Sequence, residues 1–204
     1  MAKIYFTDSN HTYTDEAGTP YISVSGLAHL FEPEKDWDSI TERYAKKNGL
    51  TVDEVKEDWE TKEEIGTMVG TMIHEGKEKE LINTVNPYFR GIPHKIIQCP
   101  IREGRKVSIE ITKLENNTCY PEIILHSEKE KVAGQADVVY VTDGYVHLRD
   151  YKTDKEIEFG GFCTPSGLPE TLKAPVSHLE DCNYSLYSLK MSTYMYMILQ
   201  ASES

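Results

Sequence analysis

Near the start of the chain, short apolar runs alternate with turn formers. Ile4-Tyr5-Phe6 and Thr12-Tyr13-Thr14 are β-prone and Asp8-Ser9-Asn10 lies between them, which predicts a small hairpin. Glu16-Ala17-Gly18 predicts a second turn leading to Tyr21-Ile22. Ser23 or Ser25 is placed to cap a short helix through Leu27 and Leu30, which Pro33 ends. The period then changes. Helices are predicted over residues 36–48 and 51–61, the second opened by Thr51 and Glu54 as a capping box. Trp37, Tyr44, Val55 and Trp59 are their inward positions. A longer helix is predicted over 63–83, where Gly66, Gly70, His74 and Glu78 recur every fourth residue on one face. Glycine inside a helix costs about 1 kcal/mol against alanine. Two on one face predict close approach to another backbone, which would hold His74 near whatever that face packs on.

From residue 86 to 117 the pattern breaks at Pro87, Gly91, Pro93, Pro100 and Gly104, with 106–111 as a strand candidate. This predicts a loop-rich connection. Strands are then predicted over 120–125, 132–141 and 145–152, with Asp143-Gly144 as a tight turn between the last two. They read as a β-meander. Residues 156–181 are irregular, with Pro165, Gly167, Pro169 and Pro175, and Asn183 is placed to cap a final helix over 184–200. There is no internal repeat or low-complexity linker.

Composition narrows the class. The chain has 204 residues, 39% hydrophobic and 27% charged, which suits one globular domain with a sizeable core. No apolar stretch is long enough to span a bilayer, and the first residues lack the apolar run of a signal peptide, so a soluble cytoplasmic protein is expected. Cys99, Cys119, Cys163 and Cys182 form no CxxC pair, which argues against a zinc or iron–sulfur site. The net charge of −12 argues against a general coater of nucleic acid. It is compatible with an enzyme that gathers carboxylates around a divalent cation.

The candidate chemistry starts at Asp150-Tyr151-Lys152. On a strand, residues two apart share a face, so carboxylate and ammonium project together and Tyr151 points to the core. Pairing through the Asp143-Gly144 turn would bring Asp137 near Asp150. Gly134, three residues earlier, leaves room for a ligand or a helix. Two convergent carboxylates repel, and a hard divalent cation such as Mg²⁺ or Mn²⁺ resolves the repulsion. His74 would add a nitrogen ligand. Such a cation polarises a phosphodiester oxygen and lowers the pKa of bound water. Lys152 would orient that water or stabilise charge building on the phosphorane. His94, His126, His147 and His178 have no partner in the pattern and read as structural or solvated.

Gly70-Thr71-Met72-Ile73-His74, Glu122, Gly134-Gln135-Ala136-Asp137 and Asp150-Tyr151-Lys152-Thr153 together resemble the RecB-like branch of the PD-(D/E)XK nucleases, which includes phage and CRISPR-associated exonucleases. Asn10-His11-Thr12-Tyr13 and Ser23-Val24-Ser25-Gly26-Leu27 resemble phage-encoded members. The resemblance implies a single α/β domain. Its restriction-endonuclease-like core, a mixed central β-sheet flanked by helices, would occupy 63–204, after an N-terminal β-hairpin and helical segment over 1–62. It implies Mg²⁺ or Mn²⁺ held by His74, Asp137, Asp150 and the Tyr151 backbone carbonyl, with Lys152 catalytic and Glu122 a second-metal or water-mediated ligand. Thr153 would anchor its neighbour's backbone or contact phosphate. The branch usually carries a QxxxY motif after the DxK strand, touching DNA or bracing the site. Here Lys190 stands at the glutamine position and Tyr194 at the tyrosine. Lysine can meet a phosphate but cannot accept a hydrogen bond. The closely spaced C-terminal cysteines of iron–sulfur relatives are missing, so no such cluster is expected.

The activity implied is a metal-dependent DNA exonuclease, phage-encoded and working in the host cytoplasm on DNA end processing, recombination or repair. Two alternatives stand beside it. One is a structure-dependent endonuclease; the other is a catalytically weak module that binds DNA or a partner such as a single-strand annealing or recombination protein. A homo-oligomer is compatible with the sequence, which specifies none.

Overall fold

A computed structural model describes residues 2–112, 114–163 and 167–203; the expected break at Pro165 lies outside them. Strands β1 (Ile4–Thr7) and β2 (Thr12–Asp15) pair antiparallel as the expected hairpin, and β3 (Pro20–Ser23) adds to β2. Their alternation buries Ile4, Phe6, Tyr13 and Tyr21. Ser23 is the cap of α1 (Val24–His29), accepting from the Gly26 amide at 2.9 Å.

Helix α2 (Trp37–Asn48) starts on the Asp36 cap and stops at Gly49, whose φ of 68° suits glycine. The Thr51–Glu54 capping box then opens α3 (Val52–Asn83), one continuous helix of 32 residues. The two helices expected over 51–61 and 63–83 are thus fused, because Thr61-Lys62-Glu63 contains nothing that breaks a helix. Of the four inward positions only Val55 is buried; Trp37 and Tyr44 pack edge-on against Trp59 in an exposed aromatic cluster. The glycines of α3 do not admit a second backbone. A side chain at Gly66 would meet nothing within 4 Å, and one at Gly70 only the Thr153 hydroxyl at 3.7 Å. His74 is instead held by its neighbours on the same face: Glu78 pairs with Lys106 at 3.3 Å, and Leu81 packs on the cluster around Phe89 and Tyr140.

The loop-rich stretch contributes strands of two or three residues. A hairpin of β4 (Tyr88–Phe89) and β5 (Ile92–Pro93) stands apart, while β6 (Lys95–Ile96), β7 (Ile101–Arg102) and β8 (Arg105–Val107) extend the main sheet. The centre is β9 (Thr118–Ser127) against β10 (Val132–Thr142), with β11 (Tyr145–Arg149) returning along β10. The order is β6-β9-β10-β3-β2-β1-β8-β7, with β11 also on β10. The β3–β10 and β6–β9 pairs are parallel and the rest antiparallel, so the protein is a mixed α/β fold with a curled mixed sheet. Almost every residue of β9 and β10 is buried, as expected of strands covered on both faces. Helix α4 (Asn183–Glu203) covers one face with Tyr194, Met197, Ile198 and Ala201. Among the described residues, no helix is long and apolar enough to cross a membrane.

The two edges of β10 differ. Along one edge β9 pairs from Val132 to Val141. On the other, β3 meets only Val132 and Ala133, and β11 only the stretch from Val138 to Thr142. Residues 134–137 therefore have no strand beside them on that edge. Gly134 lets two helices close over this gap: a Cβ there would stand 2.8 Å from Val24 of α1 and 2.9 Å from the Tyr194 ring of α4.

Candidate metal centre

Strand register assembles the site. Ala136 faces Ile123 and Val138 faces Pro121 on β9, so Asp137 stands opposite Glu122. On the other side Val138 faces Arg149, the last residue of β11, and one step further Asp137 stands opposite Asp150. Three carboxylates from three neighbouring segments therefore form a row. The strand expected to run to Lys152 ends at Arg149, and the Tyr151 amide turns to donate to Asp137 Oδ2 at 2.5 Å. Tyr151 itself is half-buried, its ring edge-on to His74.

Asp137 Oδ1 lies 3.5 Å from His74 Nδ1. His74, Glu122 and Asp137 each offer a ligand atom, all within 4.8 Å of one another. On an octahedral cation with bonds of about 2.1 Å, ligand atoms stand about 3.0 Å apart when adjacent and about 4.2 Å when opposite. Two carboxylate oxygens and one imidazole nitrogen at this spacing could hold a metal ion. The cavity these residues share with Tyr13, Lys190 and Tyr194 is about 170 Å³, room for an ion with water around it.

The carboxylates are under electrostatic stress. Burial first, then the charge of Asp137, pushes the Glu122 pKa up to about 7. Burial and then the charge of Asp150 raise that of Asp137, against the Tyr151 amide, His74 and Lys190. A cation among them would reverse both shifts. Glu122 is also strained: inside a strand it holds φ at 46°, the left-handed region that costs a non-glycine residue about 1–3 kcal/mol.

Asp150 differs from its two neighbours. Burial works against its charge, but Lys190 and Lys152 outweigh it and hold the carboxyl below its ordinary value. Lys190 Nζ stands 3.0 Å from Oδ1, and Lys152 Nζ contacts Oδ2. Both oxygens are buried and neither makes a well-directed hydrogen bond, so these contacts are ion pairs. Asp150, expected as a metal ligand, is paired here with two ammonium groups, while the ligand atoms that lie within 4.8 Å of one another are those of His74, Glu122 and Asp137. Asp150 and Lys152 do project together as expected, although the segment has left the ladder.

The remaining expected contacts divide. Lys152 also sits 4.5 Å over the Tyr187 ring, and the Tyr187 hydroxyl bonds Asp154. Thr153 is exposed and near Gly70. Lys190 turns inward to Asp150 instead of outward to solvent. Tyr194, expected to touch DNA or brace the site, is 2% exposed and its hydroxyl donates to the Gln135 carbonyl at 2.5 Å. The Gln135 amide donates to the Tyr13 hydroxyl at 3.2 Å. The two tyrosines thus take the place of the missing strand along the open edge of β10. Sequence reasoning placed Tyr13 in the hairpin and in a block resembling phage-encoded members but gave it no role at the site, because its partner is 122 residues away. Comparisons with protein-family models, with curated proteins and with solved structures gave no match.

Proposed function

We propose that the protein is a metal-dependent nuclease that hydrolyses phosphodiester bonds in DNA, acting from ends as an exonuclease, on a restriction-endonuclease-like core. The observation that carries this reading is the His74–Glu122–Asp137 trio set beside the Asp150–Lys152 ion pair. When bound, Mg²⁺ or Mn²⁺ would supply Lewis-acid polarisation of the phosphate and a water acidic enough to lose its proton near neutral pH. Glu122, Asp137 and His74 would hold that cation. The Tyr151 amide fixes one Asp137 oxygen and so leaves the other for ligation. Asp150 positions the Lys152 ammonium. That ammonium then stabilises the negative charge that builds on phosphorus oxygens as water adds and the sugar oxygen leaves. Burial of the carboxylates keeps competing water away and strengthens each of these interactions.

One observation favours a second reading, a catalytically weak module that binds DNA or a recombination partner. Two lysines already neutralise Asp150 without any cation. The experiment that separates the two uses end-labelled linear DNA and closed circular DNA with Mn²⁺, Mg²⁺ or chelator, with Lys152→Ala beside the wild type. Metal-dependent loss of linear DNA by the wild type alone supports the exonuclease. Cleavage of the circle would make it an endonuclease, and no cleavage under any metal would favour the binding module.

A further inference from the structure

A second cavity lies on the other side of the Asp150–Lys190 pair. Asp150 lines this one and Lys190 lines the metal centre, with their charged ends 3.0 Å apart, so one ion pair forms the wall between the two. The second cavity is larger, about 490 Å³. That falls within the range of about 300–1,000 Å³ common to small-molecule sites, which the metal centre does not reach. Tyr151, Tyr184, Tyr187, Ile157 and Met191 line it, and Lys152 stands in its wall.

Its mouth is aromatic and open. Tyr184 is 51% exposed and packs on Phe159, itself 70% exposed, with ring centroids 4.8 Å apart. Large rings placed in water beside a candidate active site ask for a ligand. The backbone beneath them is pinned. The Tyr184 amide donates to the Glu158 carbonyl at 3.1 Å, and the Gly161 amide to the Glu180 carboxylate at 2.9 Å. A Cβ at Gly161 would fall 2.5 Å from the Glu170 carbonyl oxygen, so the segment can lie this close only with glycine there.

Flat apolar rings beside one ammonium match the chemistry of a nucleotide, whose base stacks and whose phosphate is anionic. A chain of net charge −12 is poorly equipped to track a duplex by phosphate contacts alone. Stacking escapes that constraint, because a base face carries no charge. Inside a duplex both faces of a base are covered and at a blunt end only the outer face of the last pair is free, whereas an unpaired base can turn either face to the rings. We propose that this cavity is a stacking site for an unpaired base at a single-stranded DNA end. The Tyr184–Phe159 pair is its platform, and Lys152 meets the adjoining phosphate at the threshold of the metal centre. The proposal rests on the nuclease reading and assigns that enzyme a single-stranded substrate.

The test is binding in chelator, where no cleavage occurs. Labelled thymidine oligomer, a blunt duplex of the same length and an abasic strand are titrated by fluorescence anisotropy against the wild type, Tyr184→Phe and the Tyr184→Ala/Phe159→Ala double variant. The single strand is expected to bind more tightly than the duplex or the abasic strand. The double variant should lose on the order of tenfold in affinity for it, and Tyr184→Phe should retain it. Equal binding by the double variant, or equal binding of the abasic strand, would overturn the proposal. Cleavage of linear DNA with Mn²⁺, measured in parallel, tests the nuclease reading separately. Cleavage without base-dependent binding removes the stacking site and leaves the enzyme. Base-dependent binding without cleavage supports the site and removes the nuclease.

Discussion

The candidate metal centre draws its residues from two unlike regions. Glu122 and Asp137 stand on β9 and β10, strands buried nearly throughout and joined along their whole length. His74 stands on α3, a helix of 32 residues whose one buried residue among those described is Val55. Ile65, Met68, Val69, Met72 and Ile73 of α3 all face solvent. Opening free energies follow buried contact, so the carboxylates belong to the most stable part of the molecule and the histidine to a part that opens easily. The difference teaches that half the site is preset and half is recruited. The strand pairing that forms the carboxylate row does not involve the helix, and a cation held by all three residues would tie the helix down.

The largest expected effect breaks the preset half. Under the proposed function, Asp137→Ala would remove a metal ligand as well as the acceptor of the Tyr151 amide, and Lys152→Ala the ammonium that faces the phosphate. Each should lower Mn²⁺-dependent turnover of linear DNA by about 10²-fold or more. A wild-type rate in either variant would remove the mechanism.

Two glycine substitutions set the regions against each other. Gly134→Ala forces a methyl within 2.8 Å of Val24 and 2.9 Å of Tyr194, between packed elements. It should destabilise by about 1–3 kcal/mol. Gly66→Ala on α3 meets nothing within 4 Å and should stabilise by up to about 1 kcal/mol through helix propensity. Thermal unfolding of the pair checks the opposite signs; a loss of stability in Gly66→Ala would mean that α3 is more tightly packed than described.

A smaller effect appears with pH. Glu122 has its pKa raised from 4.5 to about 7, so between those values the folded state binds more protons than the unfolded one. Stability in chelator should therefore fall as pH rises through that window, by on the order of 1–2 kcal/mol. Asp137, also raised, adds to the fall. Asp150 is lowered, so its contribution is present above its ordinary value of 3.8 and is lost only in more acid solution. Unfolding midpoints at pH 5 and pH 7 should show the decline in the wild type and a shallower one in Glu122→Gln. An unchanged slope in that variant would place the titration elsewhere.

The smallest expected effect is one of protection. Amides of α3 should exchange with deuterium faster than those of β9 and β10, and Mn²⁺ should slow exchange around His74. Equal protection of helix and strands without metal would erase the distinction between the regions.

The preset and recruited halves were not equally legible in the sequence. The Asp143-Gly144 turn sets the register that brings Asp137 opposite Asp150, and four-residue spacing puts His74 and Glu78 on one face. Both are local signals. What stayed hidden depends on distant or unusual backbone. The parallel pairing of Ile22 with Val132 has no local signature, and it leaves the open edge that Tyr13 and Tyr194 close. The left-handed Glu122 lies inside a run that reads as plain strand. The clamp on Asp150 escaped because it joins a strand end to a lysine forty residues on, which composition alone reads as a surface charge.

The most direct test of the metal centre is calorimetric titration of the protein with Mn²⁺ in the wild type, Asp137→Asn, Glu122→Gln and His74→Ala. Binding by the wild type that each substitution weakens, most of all Asp137→Asn, is the expected result. Absence of binding by the wild type, or binding indifferent to Asp137, would contradict it.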